Sequence, residues 1–309
     1  MSILRVLRST EPTPETPGPG PMPDALLRAL DISIGRKMEG LLAGDYRSTV
    51  LGQGTELAQV RPYLPGDDVR RIDWNVTART GEPHVRVHLA ERVLVTWLVL
   101  DTSLSMDFGT ADRRKSDVAE GVALAIGHLA TRRGNRLGIL TFGGEHSVTL
   151  PPRQGRVGLI GLLRALRAEG ESKHGSASLA DALHRTASVA QQRSLVVVAS
   201  DFRGPLTWRK QLLRLAATHD VLAVEIRDPR EQQLPDAGEL WLVDPETGRQ
   251  LRVDTRDPQL RARFAHAAAE ERSGLARMLT AAGVRHVVLS TEGDWLRQLA
   301  AYLRKAQAL

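Results

Sequence analysis

Apolar and polar stretches alternate regularly along the chain from residue 93 onward. Short, almost wholly apolar runs are typical of strands that are buried on both faces of a parallel sheet, and the stretches between them repeat apolar residues at helical spacing. The predicted strands are 93–100, 137–142, 195–200, 221–226 and 285–289, and the predicted helices are 114–131, 157–167, 179–191, 208–218, 258–282 and 294–306. This alternation predicts an α/β fold with a doubly wound, mostly parallel sheet over residues 93–309.

The residues before this alternation carry weaker patterns. Residues 9–23 are rich in Pro, Gly and Thr, a composition that cannot bury a core, so residues 1–23 are predicted to be a disordered lead. Asp24 is placed to cap a helix that runs through about Met38. Short alternating stretches with Gly and Pro between 46 and 88 predict extended structure and turns. Residues 24–92 are therefore predicted to be a helix followed by a β-rich extension.

A β-hairpin interrupts the alternation at about 230–256. The segments ELWLV and RQLRV flank a D-P-E-T-G sequence, in which Pro245 fixes φ and Gly248 is free to take a positive φ. Because an isolated hairpin is not stable in water, we expect it to form one small β-rich subdomain together with residues 45–92.

Two aspartates directly follow buried strands, and they mark the candidate site. Asp101 follows the first predicted strand and Asp201 follows the third. In doubly wound sheets, ligands bind beyond the carboxyl ends of the strands, so both carboxylates should lie at that edge. The segment from Asp101 has the pattern D-x-S-x-S, which adds the hydroxyls of Ser103 and Ser105. Such hard oxygens suit Mg²⁺. The alternative is a capping loop, in which Ser105 or Asp107 begins the next helix.

This arrangement resembles the von Willebrand factor A domains and their metal-ion-dependent adhesion site. The resemblance covers about residues 90–309 and implies a divalent cation, Mg²⁺ or another, at Asp101, Ser103, Ser105 and Asp201. The family's second motif supplies a threonine, but counting back from Ala182-Leu183 places Ala177 at that position. The cation is therefore expected to bind weakly, with Ser176 or Ser178 as an alternative ligand.

A second resemblance lies upstream and spans about residue 25 to the end. The segment 61–74, R-P-Y-L-P-G-D-D-V-R-R-I-D-W, followed by T-A-R at 77–79, is similar to the signature of the bacterial family called domain of unknown function fifty-eight. Membership implies a von Willebrand A-like domain that is often encoded beside a MoxR-type AAA+ ATPase. The signature residues are Arg61, Tyr63, Pro65, Gly66, Asp67, Asp68, Arg70, Asp73, Trp74 and Arg79. Physically, we interpret the acids near this turn as an ion-paired clasp with Arg70, Arg71 and Arg79 that holds the N-terminal segment on the A domain.

Composition and missing motifs argue against several other functions. The chain has no cysteine, which excludes disulfides, thiolate zinc sites and cysteine nucleophiles. The net charge is +6, yet the arginines are mixed with acids and aromatics make up only 4%, so the pattern does not favour a nucleic-acid binder. A haloacid-dehalogenase-like phosphotransferase needs an aspartate as general acid two residues after Asp101. Ser103 stands at that position, so the general acid is missing. No P-loop or G-x-S-x-G motif is present.

The sequence therefore predicts a protein-binding adaptor rather than an enzyme. The expected mechanism is metal-dependent binding of a partner, a MoxR-type AAA+ ATPase, in the assembly or activation of a client. The alternatives are a metal-independent structural interaction module, a phosphotransfer enzyme or a nucleic-acid binder. We see no leader peptide and no apolar run as long as a membrane-spanning helix, so a cytoplasmic protein without a transmembrane segment is expected.

Overall fold

The protein is described by a computed structural model. It describes residues 5–7, 51–89, 94–132, 135–144, 147–155, 157–158, 160–161, 178–243 and 248–305. The chain divides into two compact units, an N-terminal unit of Met38–Leu94 and a sheet unit of Met1–Lys37 with Val95–Leu309.

The secondary structure of the described residues alternates between strands and helices from β4 onward. The strands are β1 (Arg5–Leu7), β2 (Leu51–Pro62), β3 (His84–Leu89), β4 (Val95–Asp101), β5 (Arg136–Phe142), β6 (Thr149–Gln154), β7 (Leu195–Ser200), β8 (Asp220–Arg227), β9 (Glu239–Val243), β10 (Gln250–Asp254) and β11 (Arg285–Ser290). The helices are α1 (Trp74–Thr80), α2 (Lys115–Arg132), α3 (Leu179–Val189), α4 (Arg209–Thr218), α5 (Pro258–Ala281) and α6 (Trp295–Lys305).

The sheet unit is built on a six-stranded sheet with the order β11-β8-β7-β4-β5-β6. All neighbouring strands are parallel except β5 and β6, which are antiparallel. From β4 the chain moves outward through β5 and β6, and it then returns to the other side of β4 with β7. The topological switch point therefore lies between β4 and β7, where ligand sites of doubly wound sheets form. The prediction of a doubly wound, mostly parallel α/β fold is confirmed.

Helices cover both faces of this sheet. Val95, Trp97 and Val99 of β4 lie in one buried cluster with apolar residues of α3, α4 and α5. Because successive strand residues point to opposite faces, Leu98 and Leu100 face the other side. There α2 contacts β4, β5, β7 and β8, while α6 contacts α2 and β11. Burial on both faces explains why the strands are nearly continuous apolar runs.

Two parts of the sheet unit differ from the sequence-based expectation. The edge strand β6 was not predicted, because its Pro151 and Pro152 disfavour a strand interior and are tolerated only at an edge. The predicted helix 157–167 lies largely outside the described residues, of which 157–158 and 160–161 are helical.

The predicted hairpin is present, but its partners are not the expected ones. Strand β9 pairs with β10 on one side and with β1 on the other, and this three-stranded sheet belongs to the sheet unit. The expectation of one subdomain shared with residues 45–92 is therefore wrong. The prediction of a disordered lead over 1–23 is likewise wrong at Arg5–Leu7. This three-residue segment is ordered by its antiparallel backbone pairing with β9. The predicted helix from Asp24 to Met38 lies outside the described residues.

The N-terminal unit consists of an antiparallel β2–β3 pair and the helix α1. The register of β2 and β3 shifts between Gly52 and Gln59. The helix α1 falls inside a stretch that was expected to be extended. Asp73 explains it, because its Oδ1 accepts hydrogen bonds from the backbone N–H of Asn75 and Val76 and so caps the first turn.

Candidate functional site

The loop after β4 brings three of the four predicted site residues together. Asp101 Oδ1 accepts a hydrogen bond from the backbone N–H of Ser103 at 3.0 Å. The hydroxyl oxygens of Ser103 and Ser105 lie 3.0 Å apart. Asp101 and Ser105 are buried, whereas Ser103 is partly exposed. We call Asp101, Ser103, Ser105 and Asp201 the edge site.

The end of β5 holds this loop in place. The backbone N–H and the hydroxyl of Thr102 both donate to the carbonyl oxygen of Phe142, at 2.8 and 2.9 Å. Gly143 follows with φ of 86°, and a Cβ added there would lie 2.7 Å from Ser103 Cβ. Only glycine combines this backbone conformation with so close an approach. The position of Ser103 is therefore fixed from the neighbouring strand.

The end of β7 closes the site from the other side. The Ser200 hydroxyl donates to Asp101 Oδ2 at 2.5 Å, and it accepts from the backbone N–H of Phe202 at 3.0 Å. Phe202 has a φ of 53°, which is rare for a residue with a side chain. Its ring is buried and packs 5.7 Å from the ring of Trp208. Backbone strain of this kind persists where the surroundings hold it, often at functional sites.

Asp201, the fourth predicted residue, is held by a buried lysine. Lys115 Nζ lies 2.7 Å from Asp201 Oδ2 and 2.7 Å from Glu231 Oε1, and the lysine side chain is 0% exposed. The other oxygen, Asp201 Oδ1, accepts from the backbone N–H of Arg203 at 3.1 Å. Arg203 also lies 3.7 Å from Glu231 Oε2. Both oxygens of Asp201 are thus already engaged by groups of the protein.

Burial and neighbouring charges shift the pKa values of these groups in different directions. Burial and the nearby charge of Asp201 raise the pKa of Asp101 to about 6. Burial also opposes ionisation of Asp201, but the Lys115 ammonium outweighs it and holds the pKa of Asp201 below its usual value. Burial lowers the pKa of Lys115, yet Asp201 and Glu231 together raise it above its ordinary value. The lysine is therefore charged in the folded protein.

The remaining site predictions have mixed outcomes. Ser178 does not reach the edge site through any described contact. It caps α3, where its hydroxyl donates to Asp181 Oδ2 at 2.7 Å. Ser176 and Ala177 lie outside the described residues. The alternative of a capping loop is wrong, because α2 begins only at Lys115, well past Ser105 and Asp107.

The contacts of Asp201 do not fit the predicted metal site. Asp101, Ser103 and Ser105 place oxygens on one loop, but Asp201 is paired with an ammonium that would repel a cation bound to the same carboxylate. Among the described residues, no group of three or more His, Cys, Asp or Glu side chains is arranged to hold a metal ion. A resident divalent cation bound by all four residues is therefore not supported by this geometry.

A cleft beside Asp201 opens between the carboxyl ends of β7 and β8 and the helix α5. Its volume is about 240 Å³. The lining mixes apolar side chains with charges of both signs, among them Leu206, Arg203, Arg272 and Glu271. Sequence reasoning missed Lys115, Arg203 and Glu231. The only signal in the sequence was that Lys115 is one of five lysines among 42 basic residues.

The signature residues form local contacts within the N-terminal unit. Arg61 makes two hydrogen bonds of 2.7 Å to the carboxylate of Asp67, and Arg86 donates to Asp73 at 2.9 Å. The described partners of Asp67 and Asp73 are thus Arg61 and Arg86, two arginines that were not part of the predicted clasp.

The other signature residues shape the turn and α1. Gly66 takes a φ of 106°, Asp68 accepts from the backbone N–H of Arg70, and Tyr63 donates its backbone N–H to Pro83. Trp74 is the first residue of α1 and is 69% exposed. Arg79 donates to the carbonyl of Asn75. Pro65 precedes Gly66 in the turn.

These features define an α/β domain of the doubly wound type with a polar site at its switch point. The family model described as "Protein of unknown function DUF58" matches residues 59–274, and the chain belongs to this family. The resemblance inferred from the 61–79 signature is thereby confirmed.

Known relatives extend over most of the chain. An uncharacterized protein of Mycobacterium bovis is 42% identical over 280 residues, which are 90% of this chain and 88% of that protein. An uncharacterized protein of Mycobacterium tuberculosis matches with the same identity and coverage.

Solved structures with a similar arrangement include von Willebrand factor A domains. The conserved hypothetical protein BatB from Bacteroides thetaiotaomicron is 13% identical with a TM-score of 0.44, and the match covers 69% of this chain and 97% of that one. The SpRpn10 VWA domain is 14% identical with a TM-score of 0.37, covering 67% and 94%. No helix among the described residues is long and apolar enough to cross a membrane.

Proposed function

We propose that this protein is a non-enzymatic protein-binding module whose partner docks at the edge site. The observation that carries the proposal is the loop Asp101–Ser105, which is pinned from both neighbouring strands at the switch point and still leaves Ser103 partly exposed. Rigid polar loops at this position of a doubly wound sheet are where such folds bind ligands. The cleft beside Asp201 gives a side chain of the partner a place to enter.

The chemistry of the edge site supports binding rather than catalysis. The partly exposed Ser103 hydroxyl lies 3.0 Å from the Ser105 hydroxyl. The hydroxyl that donates to the Asp101 carboxylate is that of Ser200, and it is buried. Asp201 is engaged by Lys115 and by the backbone N–H of Arg203. Because a buried hydroxyl is not open to a substrate, these contacts favour binding over nucleophilic catalysis.

The partner that we propose is a MoxR-type AAA+ ATPase, which the family resemblance implies. The protein would then act in the cytoplasm as an adaptor between this motor and a client. In the form that the sequence predicted, a weakly bound Mg²⁺ at the edge site would be completed by an acidic side chain of the partner. Both oxygens of Asp201 are already bonded to groups of the protein, which argues against a bound Mg²⁺. Metal-independent docking of the partner does not require free oxygens on Asp201.

The docking proposal is tested with the MoxR-type ATPase encoded in the same genome, purified and titrated against the full chain by biolayer interferometry. Ser103→Arg places a long charged side chain on the exposed part of the loop, and we expect it to weaken binding by roughly tenfold or more. Ser188→Arg is the matched control, because Ser188 is exposed near the end of α3, toward the amino ends of the strands.

The control variant should bind within about twofold of the wild type, since substitutions outside an interface have little effect on affinity. Thermal unfolding of both variants verifies that they are folded. Equal binding by Ser103→Arg and the wild type would reject the edge site as the docking surface.

A further inference from the structure

Lys115 is the most unusual buried group of the sheet unit. Lysine is almost never fully buried unless it is paired, yet this side chain is 0% exposed and its ammonium contacts two carboxylates at 2.7 Å each. It is the first residue of α2, and its backbone N–H donates to the carbonyl of Phe108 at 2.9 Å. The ring of Phe108 lies 5.9 Å from Nζ. Position and direction of the side chain are thus set by the helix start and the loop before it.

The charges around this ammonium are those that a metal ion would otherwise neutralise. Asp101, Asp201 and Glu231 supply three buried carboxyl groups. Lys115 pairs with Asp201 and Glu231, and Arg203 lies beside Glu231. Without Lys115, the carboxyl groups would exceed the remaining guanidinium by two charges. Two is the charge of one divalent cation. A buried carboxylate that lacks both a counter-charge and hydrogen bonds is strongly destabilising.

We propose that Lys115 is a built-in cation that takes the electrostatic role of a divalent metal at the edge site, so that partner binding does not require metal. The part of this inference that concerns the partner rests on the proposed function. The part that concerns the protein alone does not: the wild type stabilises its site with the Lys115 ammonium and does not bind Mg²⁺ there. The ammonium has the advantage of being covalently attached, so the site is complete at every metal concentration.

The first test measures metal binding by the wild type alone. Thermal unfolding of the full chain is followed in EDTA and with millimolar Mg²⁺ or Mn²⁺, since a ligand that binds only the folded state raises Tm. We expect Tm to agree within about 1 °C in all three solutions. A rise of roughly 5 °C or more with either metal would overturn the inference.

The second test removes the ammonium. Lys115→Met keeps the side chain as far as Cε, removes the ammonium and leaves Arg203 as the only described cation beside the carboxylates. This variant should therefore gain metal-dependent stability, with Tm rising by roughly 5 °C or more in millimolar Mn²⁺. Lys210→Met is the matched control because Lys210 is exposed on α4. It should behave as the wild type does, without a response to metal.

A second variant keeps this test decisive if Lys115→Met does not fold. Lys115→Gln keeps a hydrogen-bond donor beside the two carboxylates while it removes the positive charge, and it should fold and respond to Mn²⁺ in the same direction. No response to metal in any folded Lys115 variant would overturn the claim that the ammonium stands in for a cation.

The partner arm separates this inference from the proposed function. Binding of the ATPase to the wild type is measured in EDTA and in Mg²⁺, each without nucleotide, and we expect affinities within about twofold of each other. Binding that is tenfold or more tighter in Mg²⁺ would contradict the inference while supporting the proposed function. An absence of binding in both solutions would instead reject the proposed function, and the metal titration of the protein alone would still decide the role of Lys115.

Discussion

Asp101 shows how a single residue of the edge site links charge to stability. Its carboxyl group is buried beside Asp201, and its pKa is raised to about 6, whereas an aspartate in an unfolded chain ionises near pH 4. Between these values the folded state holds the proton more tightly than the unfolded state does. The contribution of Asp101 to stability is therefore fully present below about pH 4 and is lost as the pH rises toward 6. The ionised site is kept at a cost in stability.

The variant Asp101→Asn tests this relation. A rise in pKa from about 4 to about 6 corresponds to about 3 kcal/mol, at about 1.4 kcal/mol for each pKa unit. Losing one hydrogen-bond acceptor costs about 1 kcal/mol, so the variant should be more stable than the wild type by about 2 kcal/mol at pH 7. At pH 4 the advantage should disappear. Urea unfolding at both pH values measures it.

The control for this measurement is Asp236→Asn, because the side chain of Asp236 is 63% exposed. It should show no comparable gain at pH 7. The free energy of unfolding of Asp101→Asn is compared with that of the wild type at each pH. If the difference favours the variant less at pH 7 than at pH 4, the ionised Asp101 carboxylate does not destabilise the fold.

The predictable residues of the site are those whose position follows from the strand rule alone. Asp101 and Asp201 each follow an apolar run, and parallel strands place their carboxyl ends at one edge. Lys115 could not be found in this way, because its partners are distant in the chain. Asp201 lies 86 positions after Lys115, and Glu231 lies 116 positions after it. A lysine at the start of a helix is ordinarily a solvated residue, and no local pattern distinguishes one that turns inward.

At the scale of elements, the contact between α2 and α6 makes a prediction with opposite signs at two glycines. A Cβ on Gly121 of α2 would lie 2.3 Å from the ring of Trp295, and this ring is buried. Helix propensity favours alanine by about 1 kcal/mol, but overpacking costs about 1–3 kcal/mol. Because a ring contact of 2.3 Å lies far inside normal packing distance, Gly121→Ala should destabilise the fold by about 1–2 kcal/mol.

Gly274 of α5 supplies the matched control. Nothing lies within 4 Å of a Cβ added there, so Gly274→Ala should gain about 0.5–1 kcal/mol from helix propensity. Urea unfolding of the two variants measures both effects. Stabilisation by Gly121→Ala would show that α2 and α6 do not approach so closely.

The helices and strands that could be predicted are those that are buried within the sheet unit, because burial sets the spacing of their apolar residues. The predicted strand 195–200 coincides with β7, and the predicted helix 258–282 agrees with α5 to within one residue. β6 and α1 were missed because their local sequences argue against them: two prolines lie in β6, and α1 depends on one capping aspartate. In both cases long-range pairing or a single side chain outweighs local preference.

At the scale of the whole molecule, the sequence predicted the α/β class but not the pairing of distant segments. The hairpin β9–β10 was assigned to the N-terminal extension because both carry alternating patterns, and such patterns do not specify a partner. The structure pairs β9 with Arg5–Leu7 instead. The division at Val95 lies close to the predicted start of the A domain, and each unit has its own internal contacts.

The proposed function requires that a protein partner docks on the carboxyl-end edge of the sheet. Hydrogen–deuterium exchange of the full chain with and without the MoxR-type ATPase tests it directly, because docking slows the exchange of covered amides. We expect protection of peptides that contain residues 102–105 and 202–204, and unchanged exchange at 190–194 beside the amino end of β7. Protection confined to 190–194, with the loops after β4 and β7 exchanging as in the free protein, would contradict the claim.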